Sequence, residues 1–389
     1  MFRCDKWLLL TAVTLIGFGA LMIYSSTSVV TPVLSRRGVT EFYYFKRHFL
    51  TILIGFIFMC IAYKMNLSFM KKSSVLLLVL SFVLLIFVFL PGIGVTAGGA
   101  RRWIRLWPST FQPSELVKLS MVIFLARYMS MPEYSPDSFK SFIKPICIMA
   151  VFQAAFLKQP DFGAAMSLAF LTFAMLFLSG VKLGYLASLS VLAVPVIIKL
   201  AMEPYRLRRV MSFLDPWEDA QGDGFQLVQS FIAFGSGGFT GIGLGSSKQK
   251  LAYLPESHTD FIFSIIGEEF GLIGVLLVIA LFVFLFIKGI SIAGRAKDRF
   301  VYYITAGLSL MVALQALINF AVTTGLVPTK GLPLPFVSYG GSSLLVNMAA
   351  IGILLNISKG EETTTAFDDR EMALRRKAKR NVSRRYNSV

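Results

Sequence analysis

The sequence predicts an all-α polytopic membrane protein of about ten transmembrane helices, on three observations. Only 15% of its residues are charged, against about a quarter in soluble domains, while 56% are hydrophobic. Apolar runs recur at the length a bilayer demands, roughly 20 residues, because about 30 Å of hydrocarbon is crossed at 1.5 Å per residue. Strand-like alternation of polar and apolar residues is not seen, which favours a helical bundle over a barrel.

The first run, 7–29, follows Arg3 and Lys6 as a secretory signal would, but it is long for a signal, lacks a small-residue cleavage site and reads as a retained helix. Runs at 48–63 and 74–90 come next. The stretch "GGARRWIRLWPSTFQPSELVK" (98–118) then sets Arg101, Arg102 and Arg105 among Trp103 and Trp107. Arg binds phosphate through a planar fork and Trp prefers the headgroup level, so this loop suits either a phosphate at the bilayer surface or a plain interfacial anchor. The helix at 114–130 opens on Gln112-Pro113-Ser114 and carries Glu115 and Lys118 three apart on one face. Glu115 complements the positive end of the helix, whereas an intramembrane lysine calls for a polar cavity or a partner.

Runs at 142–158, 161–180 and 183–201 follow, the second after "KQPDFG", whose Asp161 the helix dipole explains. Residues 202–271 form the longest interruption. Within it "YRLRRVMSFLDPW" and "DGFQLVQSFIAFG" read as amphipathic helices at the membrane surface, and "GSGGFTGIGLGSSKQK" reads as a flexible linker. Then comes "PESHTD", where His258 and Asp260 precede the apolar pattern beginning at Phe261. Helix capping by Asp260 is one explanation, and it leaves Glu256 and His258 unaccounted for. Glu268 and Glu269, between Gly267 and Gly271, mark a helix break. Spans at 272–289, 301–326 and 336–357 complete the domain, 1–358, and a basic tail, 359–389, follows.

With an even number of spans both termini share one side, and the nine Lys or Arg of the tail place them in the cytoplasm. Apart from the tail, basic residues divide almost evenly between the two faces, so the outward loops retain cations that topology alone disfavours. A net charge of +17 comes with no nucleic-acid-binding motif, which leaves anionic lipid as its partner. Cys4, Cys60 and Cys147 share no motif spacing and define neither a disulfide framework nor a metal site. Together the residues describe an outward-facing polar site at the membrane surface, with one well-placed carboxylate and arginines suited to phosphate. Such a site fits glycosyl transfer from a lipid pyrophosphate, with cations stabilising the leaving group and the carboxylate acting as base.

The stretches "GARRWIRLWPSTFQPSELVKLS", "QPDFG", "SSKQKLAYLPESHTDFIFSIIGEEFG" and "PTKGLPLPFVSYGGSS" resemble, in this order, the SEDS family of bacterial cell-wall polymerases. Lys330 in "PTKG" and the run "QKLAYLPE" resemble its division and sporulation branch more than its elongation branch, the division member above the rest. The resemblance implies a peptidoglycan glycosyltransferase of the bacterial inner membrane that polymerises lipid II on the outer face. Asp260 would be its base, and Arg102, Trp103, Glu115 and Lys118 would line the substrate cavity. Glu256, His258, Lys330 and Ser338 match further substrate-site motifs. Ala252 stands where some relatives carry Glu, which argues against a chemical need for that acid. The implied partners are lipid II, an undecaprenyl-pyrophosphate-linked glycan strand, a class B penicillin-binding transpeptidase of the FtsI kind and other division proteins. The resemblance fixes no cofactor: the carboxylates and cations support either a metal-free site or one with a divalent cation, Mg or Mn, at the pyrophosphate. A lipid II flippase and a non-catalytic scaffold for the transpeptidase are the competing functions.

Overall fold

A computed structural model describes residues 4–27, 43–97, 100–106, 109–250, 254 and 258–359. Three helices come first: α1 (Lys6–Thr27), α2 (Tyr43–Lys64) and α3 (Leu67–Phe87). A small sheet, β1 (Gly94–Ala97), β2 (Ala100–Leu106) and β3 (Ser109–Phe111), leads into α4 (Pro113–Met129). Four more helices follow: α5 (Phe139–Lys158), α6 (Phe162–Leu178), α7 (Leu183–Ala201) and α8 (Pro204–Leu214). The last are α9 (Phe225–Gly237), α10 (Ile262–Arg295), α11 (Arg299–Thr323) and α12 (Gly341–Lys359).

Local sequence sets these boundaries. Asn66 accepts a hydrogen bond from Ser68 N at the start of α3, and Asp298 accepts from Phe300 N at the start of α11, each taking up an amide that the helix cannot satisfy. Pro113 occupies the first turn of α4, where its missing N–H costs nothing.

Seven of the described helices are long and apolar enough to cross a membrane, and each of the ten expected spans overlaps a helix. Of the other three, α6 and the first half of α7 are apolar but shorter, and α4 has only 17 residues, Glu115, Lys118 and Arg127 among them. Burial follows the reversed logic of a membrane protein. Ile57, Phe69, Leu76, Val191 and Leu192 face outward, as lipid-facing residues should, whereas α4 and α12 are buried along most of their length. α4 packs against α3, α6 and α11, and α11 against α10. Asp5 N donates to Ser358 Oγ at 3.1 Å, so the start of α1 and the end of α12 lie together at one end of the bundle.

The opposite end carries the sheet, and this is a correction. The sequence shows no strand-like alternation, yet 94–97, 100–106 and 109–111 pair as an antiparallel sheet of order β1-β2-β3 with a register irregularity at Val95/Thr96. The pairing skips Arg102, since Val95 faces Trp103 and Thr96 faces Arg101, so regular alternation along β2 is broken there; Ile104 is buried, Arg102 and Trp103 are half-buried, and Arg101 and Arg105 are exposed. Both amphipathic surface helices appear, as α8 and α9. The helix break is also where the glycines place it: Gly271 has φ 64 inside α10, a left-handed conformation that glycine adopts without steric cost. A Cβ at that position would lie 2.4 Å from Gly241 N. The segment "GSGGFTGIGLGSSKQK" is no flexible linker. Ile242 N and Gly243 N donate to the carbonyls of Glu268 and Glu269, both at 3.0 Å, and Leu272 N donates back to Gly238 O at 2.9 Å.

Candidate active site at the strand-bearing end

Asp260 lies half-buried in the turn before α10. The N-cap of that helix is Phe261, with no side-chain cap bond of its own. Asp260 is fixed through its backbone: Asn319 Nδ2, on α11, donates to Asp260 O and to Leu332 O, each at 2.8 Å. The carboxylate lies against the loop joining α11 to α12, because a Cβ on Gly331 would come within 2.7 Å of Asp260 Oδ2. A side chain there would displace the acid.

The neighbour of that glycine is Lys330. Its ammonium touches Met166 and sits 5.8 Å from the centre of the Phe162 ring. Burial lowers its pKa to about 8, with the nearby Asp161 pulling the other way. Asp161 is buried and caps α6, accepting from Ala164 N at 3.1 Å with one oxygen and from Gln112 Nε2 at 3.3 Å with the other. One residue earlier, Pro160 O accepts from Arg102 Nη2 at 2.6 Å. Arg102 Nε is buried with no hydrogen-bond partner among the described residues, a donor that suits an anion. Arg102 is thus bonded to Pro160, Asp161 next to it acts electrostatically on Lys330, and the adjoining Gly331 lies against Asp260.

The remaining expected site residues fall in different places. Trp103 is half-buried on β2. His258 is half-buried beside Asp260, and its carbonyl accepts from Tyr339 N at 2.8 Å. Its ring packs 5.2 Å from Tyr44 and 5.7 Å from Tyr339. Glu256 lies outside the described residues, as does Ala252.

Three of the expected substrate-site residues are buried side chains held by partners within the protein. Glu115 and Lys118 are each 3% exposed and pair with one another at 2.9 Å. Lys118 Nζ also donates to Gln315 Oε1 at 2.9 Å, and Gln315 Nε2 reaches Pro333 O at 3.0 Å and Ser343 Oγ at 2.8 Å. The pair thus braces the α11–α12 loop from beneath, because an intramembrane lysine is stabilised by a carboxylate and an amide. Ser338, 2% exposed, accepts from Leu334 N at 2.8 Å and closes a turn of the same loop.

Sequence reasoning missed Gln112, Gln315 and Asn319. The signal was present, since two amides one turn apart in the apolar "LQALINF" must hydrogen-bond something inside a bilayer. As for metal, no group of three His, Cys, Asp or Glu able to hold an ion occurs among the described residues. Magnesium commonly rests on one or two carboxylates plus substrate phosphates, and Asp260 beside Lys330 fits an ion that arrives with a phosphate.

A half-buried carboxylate, an ammonium and a guanidinium gathered at one end of a membrane bundle define a site for moving a proton next to an anion. The profile of the FtsW, RodA and SpoVE family, described as "Cell cycle protein", matches residues 6–363, and the chain belongs to this family. The "Probable peptidoglycan glycosyltransferase FtsW" of Geobacter sp. (strain M18) is 44% identical over 356 residues, covering 91% of this chain and 96% of the relative. Among solved structures, a chain described under "Structural coordination of polymerization and crosslinking by a peptidoglycan synthase complex" superposes with a TM-score of 0.76 at 27% identity, covering 93% of this chain and 99% of that one. Thermus thermophilus Rod shape determining protein RodA shares the fold, with a TM-score of 0.66 at 24% identity, 92% of this chain and 97% of that one.

Proposed function

We propose that this chain is the peptidoglycan glycosyltransferase of septal wall synthesis, polymerising lipid II into β-1,4 glycan strands at the outer face of the cytoplasmic membrane. The observation that carries the reading is the placement of Asp260 against Gly331, next to Lys330 and linked through Asp161 to Arg102. Asp260 takes the proton of the acceptor GlcNAc 4-hydroxyl. That oxygen attacks the anomeric carbon of the lipid-linked donor as the bond from this carbon to the pyrophosphate oxygen breaks. The electron pair leaves with undecaprenyl pyrophosphate, the anomeric configuration inverts, and Asp260 then releases its proton to water. Lys330 and Arg102 hold the charge that develops on the leaving group, in a site where partial burial strengthens the interaction. A divalent cation delivered with the pyrophosphate would be held by Asp260 and would neutralise the same oxygens.

In this reading the strand-bearing end faces outward and both termini are cytoplasmic. The shared end of α1 and α12 supports that arrangement, as does the basic tail. A transpeptidase that crosslinks the strands is the expected partner, supported by the synthase complex to which a similar chain belongs.

The test is polymerisation of lipid II by the purified chain, with and without a transpeptidase and with divalent ions removed. Glycan strands from the wild type and none from Asp260→Ala are expected. Strands from Asp260→Ala would remove the residue from the chemistry, and headgroup translocation without strands would favour a flippase.

A further inference from the structure

The segment that brings the chain to Asp260 begins at a second, deeply buried ionic cluster. Lys250 Nζ lies 3.3 Å from Glu269 Oε1, with their side chains 3% and 0% exposed. It also donates to Gly245 O at 2.7 Å and Ser25 O at 3.1 Å. Ser25 Oγ, on α1, donates to both Glu269 oxygens at 2.7 and 2.8 Å. The adjacent Glu268 accepts from Ser247 Oγ and from Lys248 N, the latter at 3.0 Å. Three separate pieces of chain, α1, the 238–250 loop and the first part of α10, therefore meet at one lysine.

We infer that Lys250, Glu269 and Ser25 form a positioning latch that ties the first part of α10 to α1 and the 238–250 loop and so sets where Asp260, in the turn at the head of that helix, stands. The turn that carries Asp260 is held on its other side, by Asn319 on Asp260 O and by Tyr339 N on His258 O. With α10 tied to α1 and the 238–250 loop on one side and its leading turn tied to α11 and to the loop before α12 on the other, that turn has little freedom to shift. Catalysis depends on such restriction, because a shift of about 1 Å at the reacting groups costs on the order of a hundredfold in rate. A buried ion pair is a poor source of net stability compared with apolar residues of similar size, so a role in position explains it better. None of the three residues touches the reacting atoms. They act through the backbone that carries Asp260.

The inference uses the glycosyltransferase reading for its activity measurement, and amide exchange tests it without that reading. In Lys250→Met/Glu269→Met both charges go together, which avoids stranding one of them. The double variant is expected to melt within a few degrees of the wild type and to lose at least tenfold in kcat on lipid II, with KM changed less than twofold. Amide exchange should rise across 242–262 and stay unchanged in α4 and α12. Wild-type kcat with wild-type exchange in that segment would overturn the latch and leave the pair as packing. If the double variant does not fold, Ser25→Ala decides: faster exchange at 242–262 with a severalfold lower kcat supports the latch, and no change in either refutes it. If the wild type makes no glycan, the proposed function fails and exchange alone judges the latch.

Discussion

Two groups of charge sit near the strand-bearing end and are used in opposite ways. Glu115 and Lys118 are 3% exposed, bonded to each other and to Gln315. Asp260 and Lys330 are half-buried, on a loop and a turn that pass over each other at Gly331. The first pair is sealed beneath the loop it braces, while the second is only half-buried. Whether a charge in a membrane bundle serves structure or chemistry is thus decided by what already surrounds it, and residue type alone does not tell.

If that contrast is sound, breaking the first pair should damage folding and altering the second should damage turnover. The largest effect is expected from Lys118→Met, which leaves Glu115 charged and alone in the interior. Removing one partner of a buried pair costs about 3–5 kcal/mol, so the yield of folded protein and the melting temperature should fall sharply. Glu115→Leu added to it should restore much of both, as thermal unfolding in detergent would report. Next comes Arg102→Ala. Loss of one preorganised donor to a developing charge typically costs about 10²–10³ in rate, so kcat/KM on lipid II should fall by that order while melting is unchanged. Normal turnover with a lower yield would move Arg102 to the structural class.

The smallest effect concerns pH. With its pKa lowered to about 8 by burial, Lys330 is charged below that pH and loses its proton as pH rises through it. A rate that needs the ammonium should decline above pH 8, by about tenfold at one unit beyond the pKa. Arginine stays charged throughout, so Lys330→Arg should keep a flat rate to pH 9 if its longer fork is accommodated. A wild-type rate that is level from pH 7 to 9.5 would remove Lys330 from the charge balance.

The same contrast explains how much was legible in the sequence. Asp260 and Arg102 stood out because ionisable groups are conspicuous beside apolar helices, Lys330 entered only through the resemblance carried by "PTKG", and the break at Gly271 followed from flanking glycines and paired acids. The helices were readable because lipid imposes a length on them. The sheet was not, since its strands are only 4, 7 and 3 residues long and their Arg and Trp read equally well as an interfacial loop. Uncharged amides such as Gln315 and Asn319 raise no alarm in composition, yet they hold the loop over Asp260. Lys250 and Glu269 lie 19 residues apart, and only the folded chain brings them together. Spacing along the chain reveals pairs on one helix face, such as Glu115 with Lys118, and is blind to pairs made by a fold-back.

The central claim, that Asp260 acts as the base, is tested most directly by Asp260→Asn, which keeps the shape of the side chain and removes its ability to accept the proton. Polymerisation of lipid II and thermal unfolding should be measured on the same preparation. The account predicts an unchanged melting temperature with a rate lower by about 10²–10⁴, the usual contribution of a general base. Glycan strands formed at the wild-type rate by the folded Asn variant would contradict it.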